Sequence, residues 1–180
     1  MLTRLHKIRL GSKGFTLVEL MVVIGILAIL GAVALPQVIG SLPTYRLRAE
    51  TRELVSNFKK VRLEAVKRNR TVLIEFTPGE GPVGSYHIFV DMDDDNAYDP
   101  TVDEELINWP LRPQTRLVSA AFNFFGVSEP ITGFDSRGLP VGSRLNSLFG
   151  TGNIVLETAD GSRGYRLTFS SGGGVRLEDL

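Results

Sequence analysis

Residues 14–35 read GFTLVELMVVIGILAILGAVAL and form the longest apolar stretch of this 180-residue chain. From Phe15 to Leu35 the only polar side chains are those of Thr16 and Glu19. A helix of about 20 apolar residues crosses the roughly 30 Å hydrocarbon core of a bilayer. The stretch therefore predicts a membrane-spanning helix, with the remainder of the chain attached to its end.

A short basic segment precedes this stretch. Residues 1–14 contain Arg4, Lys7, Arg9 and Lys13 and no acidic residue. Positive residues beside a spanning helix remain on the cytoplasmic side of the membrane. We therefore expect the N-terminus in the cytoplasm and the residues after the helix in the periplasm.

Three kinds of N-terminal signal compete for this pattern. A secretory signal peptide would be cut at the A-x-A site of residues 32–34, but Pro36 then follows the cut closely. A plain signal anchor explains neither the Gly14–Phe15 step nor Glu19, and a carboxylate in an apolar span is a functional candidate by default. A prepilin signal, cut between Gly14 and Phe15, accounts for the basic leader, the Gly14–Phe15 step, Glu19 and the apolar run. It is the interpretation that we favour.

These residues resemble the N-terminus of type IV pilins and of the pseudopilins of type II secretion. The resemblance rests on the basic leader, the Gly14–Phe15 step, Glu19, and Pro36 near the end of the apolar run. It implies that a prepilin peptidase cuts after Gly14 and methylates the new N-terminal amine of Phe15. It also implies that Glu19 pairs with the N-terminal amine of a neighbouring subunit and that Pro36 belongs to the assembly helix.

The same resemblance implies a location and a set of partners. The chain would be a single-pass protein of the bacterial inner membrane with a periplasmic head, and later part of a pilus or pseudopilus. Its partners would be other pilin subunits, the prepilin peptidase, the inner-membrane assembly platform and the lipid bilayer. The predicted domains are a cleaved leader over 1–14, a transmembrane assembly helix over 15–43 and a periplasmic head over 44–180.

Composition argues against a nucleic-acid-binding protein and against an enzyme. The leader holds four of the 20 basic residues, which leaves 16 basic against 20 acidic residues in the processed chain. Such an acidic balance lacks the basic footprint of a nucleic-acid-binding domain. Apart from His6 in the leader, His87 is the only histidine and is expected to be structural, and there is no cysteine. The acidic cluster of residues 91–105 is expected to lack the apolar surroundings that raise a carboxyl pKa.

The remainder of the chain predicts a helix followed by a β-sheet head. Residues 44–70 have helical periodicity, with Val55 and Val66 widening one apolar stripe, and Asn69 closes the helix. The apolar helix is expected to continue past Pro36 into this segment as one long, bent helix, with a kink or local break at Pro36 and a second break or restart at Pro43. The stripe consists of Leu47, Thr51, Leu54, Phe58, Val61 and Ala65. Predicted strands are Thr71–Phe76, Ser85–Val90, Glu105–Trp109, Thr115–Val118, Ala121–Phe125, Ile131–Phe134, Asn153–Glu157, Tyr165–Phe169 and Val175–Leu177, with a loop over 135–152.

Motifs in the body narrow the resemblance to the GspH/FimT family of minor pilins and pseudopilins. They are Leu54–Phe58, Glu64–Asn69, Phe134–Gly138 and Gly174–Leu177. The implied fold is α+β, a pilin-like lollipop in which a long N-terminal transmembrane helix packs on an antiparallel β-sheet head. The implied role is a low-abundance subunit near the tip of a type IV pilus or a type II secretion pseudopilus.

An acidic loop offers calcium as the one possible cofactor. Asp91, Asp93, Asp95 and Asp99 occupy positions 1, 3, 5 and 9 of a calcium-loop pattern, and Asn96 stands where glycine is usual. Position 12 is valine instead of the bidentate glutamate that closes such loops. The pattern therefore fits either an anchored calcium-binding module or an acidic, solvated turn, and the turn is favoured.

Basic residues near the C-terminus raise DNA as an alternative partner. Some proteins resembling this family bind DNA during uptake through basic residues at the C-terminal strand, where this chain has Arg163, Arg166 and Arg176. Phosphate binding needs several cations, and Glu178 and Asp179 follow directly. The residues favour ordinary surface charges over a DNA site.

Overall fold

The fold is that of a computed structural model, which describes residues 14–79, 83–124, 127–142 and 151–180. The chain divides into two compact units, Met1–Ser41 and Leu42–Leu180, which are described separately. The predicted leader, apart from Gly14, lies outside the described residues.

One helix and ten strands make up the described chain. Helix α1 runs over Leu17–Arg68. The strands are β1 (Val72–Thr77), β2 (Ser85–Val90), β3 (Glu104–Pro110), β4 (Thr115–Phe124), β5 (Val127–Glu129), β6 (Ile131–Phe134), β7 (Pro140–Val141), β8 (Thr151–Thr158), β9 (Gly164–Ser170) and β10 (Val175–Asp179). They form a first sheet in the order β3-β2-β1-β6-β7 and a second sheet in the order β10-β9-β8-β4-β5, with antiparallel pairing throughout.

The predicted single long helix is confirmed, since α1 is continuous through both prolines. It has no break at Pro36 and no restart at Pro43, because each proline removes a single main-chain donor and the neighbouring residues keep helical geometry. The predicted end is confirmed: Asn69 adopts a left-handed φ of 53°, and the Arg70 N–H donates to the Ala65 carbonyl at 3.2 Å. Asparagine tolerates this conformation better than most residues do.

The predicted apolar stripe of α1 is confirmed, since all six of its residues are buried. Phe58 stands at the centre, with its ring centroid 4.2 Å from that of Phe169 in the second sheet and 6.2 Å from that of Phe76 in the first. One core therefore joins the helix to both sheets. Val66 was wrongly placed in the stripe, because it is exposed on another face of the helix.

Two predicted strands are a single strand. Predictions over Thr115–Val118 and Ala121–Phe125 merge into β4, although residue 125 lies outside the described residues. A register shift between Leu117 and Ser119 interrupts the pairing of β4 with β8. Such a bulge reverses the inward and outward alternation of side chains, which made the sequence look like two strands.

The predicted loop over 135–152 is partly wrong. It contains the short strand β7, and β8 already begins at Thr151; residues 143–150 lie outside the described residues. β7 pairs with β6, and its Val141 packs with Leu73, Phe89 and Ile131 in a second, smaller apolar cluster. A two-residue strand is too short to show an alternating pattern, so the sequence gives no signal for it.

Candidate functional site

The predicted processing site lies immediately before α1. A Cβ at Gly14 would meet no other heavy atom within 4 Å, and Phe15 is 72% exposed. The next residue, Thr16, caps the helix, because its Oγ1 accepts a hydrogen bond from the Glu19 N–H at 3.2 Å. Both residues of the predicted cut are therefore accessible beside a well-defined helix start.

Thr16 and Glu19 follow the spacing of a helix capping box. In this motif a threonine side chain accepts from the N–H of the residue three positions on, which carries a glutamate or glutamine. The sequence showed this spacing, but our prediction assigned Thr16 no role. The cap places Glu19 in the first turn of α1. A negative charge there also interacts favourably with the positive end of the helix dipole.

The apolar part of α1 satisfies the length and composition of a membrane span. Leu17–Leu35 has a mean hydropathy of 2.7, and 0% of this span is buried within the chain. A helix that is apolar all round needs lipid or other apolar helices to cover it. The span therefore has the length, composition and exposure of a membrane anchor.

The acidic loop is wound around Asp91, directly after β2. Its Oδ1 accepts from the Asp94 N–H at 2.8 Å, and its Oδ2 accepts from the Asn96 N–H at 3.0 Å. Asp94 and Asn96 have left-handed φ angles of 63° and 59°. Asn96 therefore takes the conformation expected of position 6. Burial raises the pKa of the Asp91 carboxyl, and the two hydrogen bonds partly offset that rise.

This result corrects the expectation that the acidic cluster has no burial to perturb its carboxyl groups. Asp91 is fully buried beside the core, whereas Asp93 and Asp95 are exposed. Asp91 comes directly after β2, and the loop that follows folds back over it through the N–H groups of Asp94 and Asn96. Aspartate is rarely fully buried, so residue type alone would place Asp91 at the surface and would not predict its burial.

Three of the four predicted calcium ligands converge. One carboxylate oxygen each from Asp91, Asp93 and Asp95 lies within 4.8 Å of the others. Asp99 is not a member of this group. Its Oδ1 accepts from the N–H and the hydroxyl of Thr101, which hold the pKa of Asp99 below its usual value. Calcium binding remains a prediction.

If the loop binds calcium, millimolar calcium should raise the melting temperature of the full chain and protect residues 91–105 from proteolysis. A ligand that binds the folded state alone stabilises it by about 2.7 kcal/mol at a hundredfold excess over its dissociation constant. Replacing Asp93 and Asp95 together by alanine should abolish the gain, and Asp160→Ala in a different turn should preserve it. The same melting temperature with calcium and with a chelator would identify a solvated turn.

The three C-terminal arginines lie among acids. Arg166 on β9 stands opposite Glu178 on β10. The Nε of Arg176 lies 3.3 Å from Glu178 Oε1. Arg163 is exposed in the turn before β9. Alternating signs dilute the positive potential that phosphate binding requires. DNA binding through these residues remains a prediction.

His87 has the surroundings of a packing residue. It lies on β2, with its ring 5.3 Å from that of Phe89 and 4.7 Å from that of Tyr98. Its Nε2 is 3.3 Å from Glu75 Oε2. These contacts attach the acidic loop to the first sheet through Tyr98.

The body motif Phe134–Gly138 is a turn organised by one carboxylate. Asp135 Oδ1 accepts from the N–H groups of Arg137 and Leu139, both at 2.9 Å, and the Arg137 guanidinium bonds to Oδ2 at 2.7 Å. Gly138 has a φ of 74° and lies against Arg62 of α1, so a side chain there would be strained. The motif therefore holds the β6–β7 connection against the helix.

Asp135→Asn should destabilise the head by about 1–3 kcal/mol, because it weakens hydrogen bonds to otherwise unsatisfied N–H groups. Burial acts to raise the pKa of Asp135, but the bonds from Leu139 and Arg137 outweigh it and hold that pKa below 3.8. The stabilisation is therefore present at neutral pH and is lost as the pH falls below 3.8. Urea unfolding at neutral pH and at about pH 3 should show a smaller pH dependence for the variant. Ser136→Ala is the control, and equal losses in both variants would contradict this role.

The exposed apolar helix with its capped start, joined to a helix-backed pair of antiparallel sheets, defines a pilin-like α+β protein. Residues 50–173 match the family model of the type II transport protein GspH, and residues 9–35 match the prokaryotic N-terminal methylation motif. The chain belongs to the GspH family. This confirms the family resemblance and the α+β, pilin-like fold class.

Two individual proteins are similar to the chain. The pilin-like protein PilA1 of Thermus thermophilus is 32% identical over 172 residues, which cover 92% of this chain and 98% of the relative. The minor pseudopilin EpsH from the type 2 secretion system of Vibrio cholerae has a solved structure with a TM-score of 0.46 and 9% identity. That similarity covers 74% of this chain and 96% of EpsH.

Proposed function

We propose that this chain is a membrane-anchored subunit of a type IV pilus or a type II secretion pseudopilus, released for assembly by prepilin peptidase. One observation carries the proposal: the methylation-motif match over residues 9–35 coincides with a span, Leu17–Leu35, that the chain leaves uncovered. A signal that is cut before the span keeps the apolar helix in the processed protein. The helix then serves first as anchor and later as the contact between subunits.

Glu19 is the residue that would direct this assembly. Cleavage after Gly14 creates a new positive amine at Phe15, four residues before the carboxylate. In apolar surroundings an isolated amine and an isolated carboxylate are both costly, and pairing them between subunits removes both penalties. The capped first turn keeps Glu19 at a fixed distance from the new N-terminus.

The orientation follows from the basic leader. Four positive residues before the span support a cytoplasmic N-terminus, a peptidase and assembly platform in the inner membrane, and a head in the periplasm. An accessibility experiment on the full chain tests this. A single cysteine introduced at the exposed Arg163 of the otherwise cysteine-free chain should react with a membrane-impermeant maleimide once the outer membrane is opened. Labelling only after lysis would contradict a periplasmic head.

Filament recovery tests the proposal itself. The full chain, expressed with its assembly system, should be found in the sheared or pelleted filament fraction, and it should remain in the membrane when prepilin peptidase is deleted. A chain that is never found with filaments under assembly conditions would refute the proposed function. The position near the filament tip, DNA binding and the calcium module remain predictions.

A further inference from the structure

The second sheet ends in a strand edge that has no partner strand in the described part of the chain. β10 is the terminal strand of this sheet, and only β9 pairs with it. The opposite edge is β5, which has three residues. An exposed edge presents unpaired N–H and C=O groups that another extended segment can bond. The longer free edge of the second sheet is therefore β10.

The β10 edge is uncovered on the side that forms the core. Val175 and Leu177 pair with Phe169 and Leu167 of β9 and share their face of the sheet. Phe169 and Leu167 are 2% and 0% exposed, but Val175 and Leu177 are 36% and 49% exposed. The core therefore stops one strand short of the sheet edge. A further strand beside β10 would cover these two side chains.

The main chain of β10 is oriented for such an addition. The Leu180 N–H donates to the Gly164 carbonyl at 2.9 Å, which fixes the phase of the β9–β10 ladder. Bonded and non-bonded pairs alternate along antiparallel strands. Val175, Leu177 and Asp179 therefore turn their N–H and C=O groups to the free edge.

A groove of about 380 Å³ runs between this edge and α1. Val55 lines it together with Val175 and Leu177, and Arg52 and Lys59 stand on its helical side. Neither cation forms an ion pair within the residues that the structure describes. The groove is therefore apolar on its sheet side and positively charged on its helical side.

The charged residues of β10 leave this positive character in place. Arg176 and Glu178 lie on the face of the strand that turns away from the groove. They pair with each other, with Arg176 Nε 3.3 Å from Glu178 Oε1. Asp179 shares the groove face, but it interacts with Arg48 at the end of the strand. An acidic occupant of the groove would therefore meet two unpaired cations.

β10 runs lengthwise along α1. A Cβ on Gly173, just before the strand, would lie 3.6 Å from the Arg62 guanidinium. At the other end Asp179 pairs with Tyr165, whose hydroxyl accepts from Arg48 at 2.9 Å. A strand added beside β10 would therefore lie along the helix and pass the two cations of the groove.

The helical side of the groove sets the spacing that an occupant has to match. Arg52 and Lys59 are two helical turns apart, about 10.5 Å along the helix axis, and Val55 lies between them. Side chains on one face of a strand repeat about every 6.7 Å, so two such steps span about 13 Å. Long arginine and lysine side chains bridge that difference. The groove therefore fits an extended segment with a carboxylate, an apolar side chain and a second carboxylate at alternate positions.

This pattern favours a segment of a different protein. The acidic edge strand of this chain, β3, does not supply it, because Glu104 is already bonded to Arg68 at 2.7 Å. A register shift between Ile88 and Phe89 also interrupts the pairing of β3 with β2. DNA fits less well, because phosphate binding needs several cations, whereas the groove offers two cations beside aliphatic side chains and a free strand edge.

We infer that the groove between α1 and β10 binds an extended segment of a different pilin-like subunit, which adds a strand to the second sheet. Two carboxylates of that segment face Arg52 and Lys59, and an apolar side chain between them packs on Val55. The inference rests on the proposed function, because assembly brings other subunits beside the head. The contact needs a single copy of this chain and therefore agrees with the predicted low abundance.

Photocrosslinking of the full chain in its own assembly system tests the inference. Ser56, which lines the groove, is replaced by p-benzoylphenylalanine. Irradiated filaments should contain this chain joined to a different subunit. Mass spectrometry should find the crosslink in a segment with the alternating carboxylate, apolar and carboxylate pattern. The same photoreactive residue at Lys67, an exposed position outside the groove, should not label that segment.

Charge reversal on the helical side of the groove provides the second readout. Arg52→Glu with Lys59→Glu should reduce the crosslinked product about tenfold, the effect of 1.4 kcal/mol. Lys67→Glu should leave the product unchanged. Replacing both carboxylates of the labelled segment by lysine should restore the product of the reversed chain.

Val175→Pro separates strand addition from a contact of side chains alone. Val175 is the first residue of β10, and its N–H faces the free edge, so proline removes an edge donor while the β9 ladder keeps its bonds. The product should fall about tenfold, whereas Val175→Ala, which keeps the N–H, should lose less. Equal products from the two variants would contradict strand addition. An unchanged urea midpoint checks that the head is intact, and the charge reversal tests the groove independently.

Each other result would overturn the inference. A labelled segment without the pattern, a second copy of this chain, or nucleic acid in the product would show a different occupant. Filaments that contain the chain but give no product would show that the groove is not used. Absence of the unmodified chain from filaments would instead refute the proposed function, which separates the two failures.

Discussion

Glu19→Ala should leave cleavage after Gly14 intact and reduce recovery of the chain in filaments by about 100-fold or more. Removing one partner of a buried ion pair costs about 3–5 kcal/mol, and each 1.4 kcal/mol changes an equilibrium tenfold. The variant would leave the neighbour's N-terminal amine unpaired in an apolar environment. Quantitative immunoblotting of membrane and filament fractions measures the effect.

The matched control is Glu53→Ala, which removes a carboxylate from the same helix within the head. It should assemble as the unmodified chain does. Filament recovery of Glu19→Ala at the unmodified level would remove the pairing role. Loss of cleavage in that variant would instead assign Glu19 to recognition by the peptidase.

Phe58→Ala should lower the free energy of unfolding of the head by about 3–5 kcal/mol, the usual cost of removing a buried aromatic ring. Phe58 contacts Phe169 of the second sheet and Phe76 of the first, so its loss opens a cavity where helix and sheets meet. Urea unfolding of the full chain in detergent, followed through the only tryptophan, Trp109, gives the value.

Leu63→Ala on the same helix serves as the control, because Leu63 is 65% exposed. Its effect should stay within about 0.5 kcal/mol, as is usual for surface substitutions. Comparable losses in the two variants would mean that the head does not depend on the stripe that includes Phe58.

The helix stripe could be predicted because burial on one face of a helix repeats every 3.6 residues, and Leu54, Phe58 and Val61 keep that period. The strands with clean alternation, such as β9, were predictable for the same reason. β4 was not, since the bulge at Leu117–Ser119 breaks the alternation. What a sequence shows directly is local periodicity, and a bulge interrupts it.

Contacts between distant residues were the harder part. The burial of Asp91 depends on how the loop folds back on β2, and no local pattern signals it. The convergence of Asp91, Asp93 and Asp95 agreed with their spacing, whereas the hydrogen bonds of Asp99 with Thr101 did not follow from it. The N-terminal processing site, by contrast, consists of residues that are close together in the sequence, so the sequence alone indicated its position.

The most direct measurement of the central claim is the intact mass of the chain recovered from the membrane and from filaments. We expect a protein that begins at Phe15 and carries one methyl group on its N-terminal amine. The same mass in both fractions would show that processing precedes assembly and that the apolar helix is retained. A chain that begins at Leu35 would contradict the account, because the helix would then be part of a discarded signal peptide. A chain that still begins at Met1 in filaments would contradict it as well.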